Sequence, residues 1–218
     1  KTDPRFTDSE TPIEDWASAQ KNYGFTSTVI SGQTKSHCYG KNGYLKLGDD
    51  KGHGADLISP YASDLRYDSM LMVSFRAVAF TDYVTGKRDA NKITVEVLGG
   101  GVIADYAEEG RTSIDLEAVY YDPKSDEFPE NMWDNSELAV FVVSTKMNPI
   151  TINTQVRVTC GSLSPSSTEN NRIYLDNFYI RRYTEDEENY FETNGGSGAD
   201  RILSEVVYGD QKVEEDEE

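Results

Sequence analysis

The chain has 218 residues, with 21 Lys and Arg against 39 Asp and Glu, for a net charge of −18. That balance excludes nucleic acid as a partner, because phosphate binding needs clustered cations to release counterions, and it disfavours anionic membrane surfaces. No apolar run approaches the ~20 residues that span a bilayer, so insertion into a membrane by this chain is not expected.

Hydrophobic residues make up 37%, with 14 Tyr and 8 Phe, a composition suited to half-buried strands. Residues 1–24 read as a polar extension, and Lys1–Pro4 resembles a mature or truncated start. Within the extension, Ile13–Gln20 reads as a short helix, with Thr11 as N-cap and Pro12 at the first helical position; Trp16 is its anchor. Phe25–Ser31 is a β-branched run. Gly43–Leu47 and Ala55–Ser59 flank an Asp/Lys/Gly/His turn and read as a hairpin. Asp49, Asp50 and Asp56 then belong to a solvated turn, and His53, between Gly52 and Gly54, is an exposed turn residue.

Ser69–Phe80 alternates strictly: Leu71, Val73, Phe75, Ala77 and Ala79 share one face, and Met72, Ser74, Arg76, Val78 and Phe80 the other. The second face is mixed, which predicts partial cover on both sides. Lys92–Leu98 alternates again, Gly99–Gly101 marks a turn, and Val102–Tyr106 and Thr112–Val119 follow as weaker elements. A loop rich in Asp, Pro and aromatics spans Tyr120–Asn135. Ser136–Thr145 is apolar on both faces, the mark of a central strand, and Thr154–Cys160 alternates. Arg172–Arg182 is the last strand, interrupted by Asp176 and Asn177, residues that strands avoid. The pattern predicts an all-β sandwich or barrel of about nine or ten antiparallel strands over residues 25–183. Residues 184–218 form an acidic C-terminal extension or linker, with Thr184–Glu188 and Glu214–Glu218 almost entirely acidic. Cys38 and Cys160 read equally as one long-range disulfide or as two inert buried thiols.

The combination Gly43-Tyr-Leu-Lys-Leu-Gly48, Leu57-Ile-Ser-Pro60, the alternating strand at Leu71–Phe80 and Arg172-Ile-Tyr-Leu-Asp-Asn-Phe178 resembles the jelly-roll modules of Bacteroidetes surface lipoproteins. These are similar to galactose-binding-like and carbohydrate-binding-module sandwiches. The resemblance covers roughly Phe25–Arg182. It implies a jelly-roll β-sandwich in an exported setting, at the cell surface or in the periplasm and lipid-anchored in the full precursor. It implies a glycan or a surface protein as partner. It also implies a structural Ca²⁺ ligated by Asp176, since calcium takes carboxylate and carbonyl oxygens. The competing reading is an Asp bonded to backbone amides at a bulge.

Sugar binding uses aromatic faces with polar neighbours. Trp133, flanked by Asn131 and Asp134 and sharing its loop with Tyr120 and Tyr121, reads either as such a platform or as a cap on the sandwich core. Enzyme chemistry has little support: neither His37 nor His53 has metal-ligand spacing, and no nucleophile elbow or phosphate loop is present. Glu96, Glu108, Glu109 and Glu117 are too many undifferentiated carboxylates to define a glycosidase pair. The expected function is therefore a non-catalytic surface module that binds carbohydrate or acts as a scaffold. The alternatives are an interaction or adhesin domain and, further off, a glycoside hydrolase or lyase.

Overall fold

A computed structural model describes residues 10–16, 23–62, 70–121 and 131–183. Twelve strands form over this range: β1 (Thr11–Pro12), β2 (Cys38–Gly40), β3 (Leu45–Leu47), β4 (Ala55–Ile58), β5 (Met70–Ala79), β6 (Lys92–Leu98), β7 (Val102–Ile103), β8 (Ser113–Glu117), β9 (Val119–Tyr120), β10 (Glu137–Val143), β11 (Gln155–Cys160) and β12 (Ile173–Arg182). Three of these are two-residue segments, so the count of longer strands matches the sequence reading. They build a larger sheet in the order β1-β2-β3-β12-β5-β10-β7, with β9 also on β5, and a smaller one in the order β4-β11-β6-β8. Every pairing is antiparallel except β5 with β9. From β3 to β9 each strand lies in the sheet opposite its predecessor, the sheet-to-sheet alternation of a jelly roll.

The core follows from the pleat. On β5, Leu71, Val73, Phe75, Ala77 and Ala79 are at most 1% exposed and face Ile93, Val95 and Val97 of β6 and Val156 and Val158 of β11. The opposite face of β5 is covered as well. Val78 and Phe80 lie beneath a second cluster with Met132 and Tyr174, and Met72 beneath a third with Tyr183. Cys38 and Cys160 are both unbonded, buried in the shared core, which decides for two thiols and against the disulfide. Burial pushes the Cys160 thiol up to about 12, and Cys38 upward as well.

Three expectations are corrected. β3 and β4 are not a hairpin: β3 lies between β2 and β12, while β4 pairs with β11 in the other sheet. Their apolar residues, Leu47 and Leu57, are both buried, and placing them on opposing walls of the core buries both. The connecting turn is pressed onto β11 so closely that a Cβ on Gly54 would lie 2.4 Å from the Cys160 carbonyl oxygen. Next, Thr11–Trp16 does not start a helix. Thr11 and Pro12 pair with Gly40 and Tyr39 as the outermost strand, a single 3₁₀ turn covers Ile13–Asp15, and Trp16 is already extended (ψ 117°); the rest of the expected helix lies outside the described residues. Finally, Phe25–Ser31 is no strand beyond one bridge, Thr26 to Ile58. It is tied down by Asp56, which is wholly buried rather than solvated and accepts from the Thr28 amide (2.6 Å), Thr28 Oγ1 (2.7 Å) and Ser27 Oγ (3.1 Å).

Candidate functional site

Interruption of the last strand by Asp176 and Asn177 is a bulge. Asp176 faces Arg76 and Tyr179 faces Ser74, so β12 spends two residues, Asn177 and Phe178, opposite the single Phe75 of β5. Asn177 takes the left-handed conformation (φ 50°), which Asn tolerates better than most residues. Its amide donates to Asp176 Oδ1 at 2.8 Å. The extra residue leaves Phe178 pointing inward, stacked on Phe75 at 6.0 Å and edge-on to Phe25 at 5.7 Å. A bulge of this kind re-aims side chains and ends pairing. Among the described residues, β12 has no strand on the β3 side beyond Leu175.

A cleft of about 600 Å³ opens at that split. Leu57 of the smaller sheet and Leu45 and Leu175 of the larger one form its floor, so it reaches between the sheets. Its lining also includes the aromatic residues Trp16, Tyr23, Phe25, Tyr44 and Phe178 and the polar residues Asn42, Asp176 and Asn177. Trp16 is fixed in place. Its Nε1 donates to the Thr11 carbonyl at 3.0 Å, and the ring lies so close over Gly40 that a Cβ there would stand 2.8 Å from Nε1. Tyr23 is the opposite case, 78% exposed. Among the described residues, the one carboxylate in the lining is Asp176.

The residues expected from sequence divide. Trp133 is half-buried, edge-on to Tyr44 at 5.8 Å, and packs with Tyr121 on the cluster formed by Val78, Phe80, Met132 and Tyr174. Asn131 is brought beside it: its side-chain oxygen accepts the Trp133 amide at 3.1 Å, and its carbonyl accepts the Asp134 amide at 3.2 Å. Asp134 is exposed. Tyr120 turns away from this group. It packs on the main core, donates its hydroxyl to the Asp89 carbonyl at 2.7 Å, and lies under the Arg88 guanidinium at 4.7 Å. Tyr44 belongs to both regions, since it lines the cleft and touches Trp133. Of the glycosidase candidates, Glu96 is ion-paired to Arg157, and Glu108, Glu109 and Glu117 are exposed. The cleft aromatics carried no signal of function in the sequence, because Trp16 read as an anchor of the N-terminal segment and Tyr44, Phe25 and Phe178 as ordinary strand residues.

A second cluster also escaped the sequence. His37 precedes β2 and Asp49 and His53 follow β3, and the three meet. The two rings stack at 4.5 Å with planes 10° apart. Asp49 Oδ2 lies 2.7 Å from His53 Nδ1 and 3.4 Å from His37 Nδ1. His53 is therefore not an exposed turn residue: its side chain is 15% exposed, and those of His37 and Asp49 are 10% and 13%. Burial pushes the His37 imidazole below its ordinary value. Burial also works against the Asp49 charge, but the His53 ring and the amides of Lys51 and His53 outweigh it and hold the carboxyl below its ordinary range.

No protein-family model matches this chain, and no curated protein matches it. Among solved structures it is similar to a CBM4 structure (15% identity, TM-score 0.40, covering 73% of this chain and 86% of that one). It is also similar to the K1 cleaved adhesin domain of Lys-gingipain from Porphyromonas gingivalis W83 (16%, 0.39, 82% and 99%). A third similarity is to the N-terminal cellulose-binding domain of β-1,4-glucanase C from Cellulomonas fimi (12%, 0.35, 74% and 90%).

Proposed function

We propose that the chain is a non-catalytic glycan-binding module of an exported protein, with its ligand in the cleft beside the β12 bulge. The observation that carries this reading is the make-up of that cleft. Its volume of about 600 Å³ falls within the usual range for small-ligand sites, roughly 300–1,000 Å³. Five aromatic residues among those described line it, suited to the apolar C–H face of a sugar, and Asp176, Asn177 and Asn42 supply polar groups for hydroxyls. Trp133 and Tyr121 extend the aromatic surface through Tyr44.

Tyr23 gives the cleanest test, because it lines the cleft while contributing little to packing. Its φ of 49° is one that Asn also adopts. Tyr23→Asn is expected to weaken glycan binding about tenfold, ~1.4 kcal/mol, at an unchanged melting temperature. If the wild type retains nothing from a broad glycan array, the reading is lost. A calcium ion on Asp176 is the companion proposal. It predicts that EDTA lowers the unfolding temperature of the wild type, since a bound ion stabilises the folded state by mass action, and lowers that of Asp176→Asn less; an unchanged curve, or an equal drop in the variant, removes it.

An interaction domain of a larger surface assembly is the second reading, favoured by the 59% exposed ring of Tyr179 on β12, an amphipathic contact group of the kind enriched at protein interfaces. It predicts a concentration-dependent rise in mass by light scattering, and a monomer at all concentrations counts against it.

A further inference from the structure

We infer that His37, Asp49 and His53 form a binding site for one divalent transition-metal ion of the zinc or cobalt kind. One nitrogen from each ring and a carboxylate oxygen lie within 4.8 Å of one another. Two imidazoles and a carboxylate are the donor set of zinc and its neighbours, whereas calcium and magnesium take oxygen. This site is separate from the cleft, and the inference does not rest on the glycan reading.

The carboxylate is set before any ion arrives. Asp49 Oδ1 accepts the amides of Lys51 (2.9 Å) and His53 (3.0 Å), which directs Oδ2 to the two rings. The backbone on either side is equally fixed: the Gly48 amide donates to the His37 carbonyl at 2.9 Å, and the Asp49 amide to the His53 carbonyl at 3.0 Å. The three ligands thus hang from a backbone that is fixed before binding, which confines the reorganisation to side-chain rotation. For metal–ligand bonds of ~2.0–2.1 Å in a tetrahedron, ligand atoms stand ~3.3 Å apart. The separation of 2.7 Å between Asp49 Oδ2 and His53 Nδ1 lies just inside that edge.

His37 supplies an independent observation. It is 8% exposed, and its Nε2 has no hydrogen-bond partner among the described residues. Its Nδ1 meets the Tyr39 hydroxyl at 2.9 Å. Either neutral tautomer therefore leaves one polar atom of a buried ring unpaired, a cost that native side chains seldom carry without a reason. Ligation offsets that cost only through Nε2, so Nε2 is the His37 atom assigned to the ion. One movement is required: in parallel rings the nitrogen lone pairs lie in separate planes, so a shared ion turns the imidazoles about Cβ–Cγ and breaks the stack.

The chain has only two histidines, and both are here, so imidazole signals report this site without substitution. The test is titration of the chelator-treated wild-type chain with Co²⁺ and then Zn²⁺, followed by visible absorption, calorimetry and the imidazole proton resonances. One Co²⁺ per chain with intense four-coordinate ligand-field bands is expected, displaced by Zn²⁺, with both histidine resonances moving together. His53→Ala and Asp49→Asn should abolish the bands, with circular dichroism confirming the fold. Absence of the bands, unmoved imidazole resonances, or equal binding by folded His53→Ala, which would place the ion on the acidic surface, overturns the inference.

Discussion

Deleting Asn177 asks whether the bulge makes the cleft. Between the pairs Asp176–Arg76 and Tyr179–Ser74, β12 has two residues against one on β5. Without Asn177, Phe178 falls opposite Phe75, the ring it already stacks on at 6.0 Å, and every pair from Tyr179–Ser74 to Arg182–Leu71 is kept. The deletion removes a left-handed non-glycine residue, a relief below the roughly 1–2 kcal/mol typical of other side chains. It also removes the exposed 2.8 Å bond from the Asn177 amide to Asp176, a loss of roughly 0.5–1.5 kcal/mol. These nearly cancel, so stability should stay within about 1 kcal/mol and the melting temperature within ~4 °C. Binding should not survive so well. A straightened strand withdraws Asp176 from the rim, and a charged hydrogen bond to a sugar hydroxyl is worth roughly 1.5–3 kcal/mol, about 10- to 150-fold in Kd. Thermal melts and calorimetry with a glycan retained by the wild type measure both. An unfolded deletion refutes the register argument, and wild-type affinity refutes the assignment of the cleft.

Other perturbations reach the scaffold that holds the site. Asp89, whose side chain is 2% exposed, receives Arg172 Nε at 2.6 Å and Nη2 at 3.0 Å just before β12 begins. Asp89→Asn strands that guanidinium and should cost about 3 kcal/mol, read by urea unfolding; a loss under ~1 kcal/mol would show the pair to be superficial. The two core thiols give stability an alkaline limit. Cys160 is raised from an ordinary value of 9.0 to about 12 and Cys38 is raised too, so above pH ~9 the unfolded chain releases protons that the folded chain keeps. Stability should then fall by ~1.4 kcal/mol per thiol per pH unit, and Cys160→Ala should halve that slope; an identical slope would refute it. Trp133→Ala should lower stability by about 2 kcal/mol, roughly half the cost of a fully buried Trp, because the ring packs on Tyr44 and Met132. An unchanged melt would make Trp133 a bare platform.

Wherever one side of a strand meets the core and the pleat repeats every two residues, the sequence was legible. Leu71 to Ala79, Ile93 to Val97 and Val156 to Val158 declare their buried face through local alternation alone. The break at Asp176-Asn177 was legible for the same reason, since a bulge is a local departure from that period. Other decisions depend on contacts between distant residues. Leu47 and Leu57 look like the arms of a hairpin, yet each finds a better partner far along the chain, in β12 and β11. His37 is separated by two strands, β2 and β3, from Asp49 and His53, so no spacing rule joins them. Only the pairing of β2 with β3 brings the residue before one strand to the residues after the next. Trp16, Tyr44 and Phe178 likewise become one cleft only because the bulge parts β12 from β3. Alternation is set by neighbours along the backbone, whereas the site is set by which strands share a sheet, a choice made by total burial across the chain.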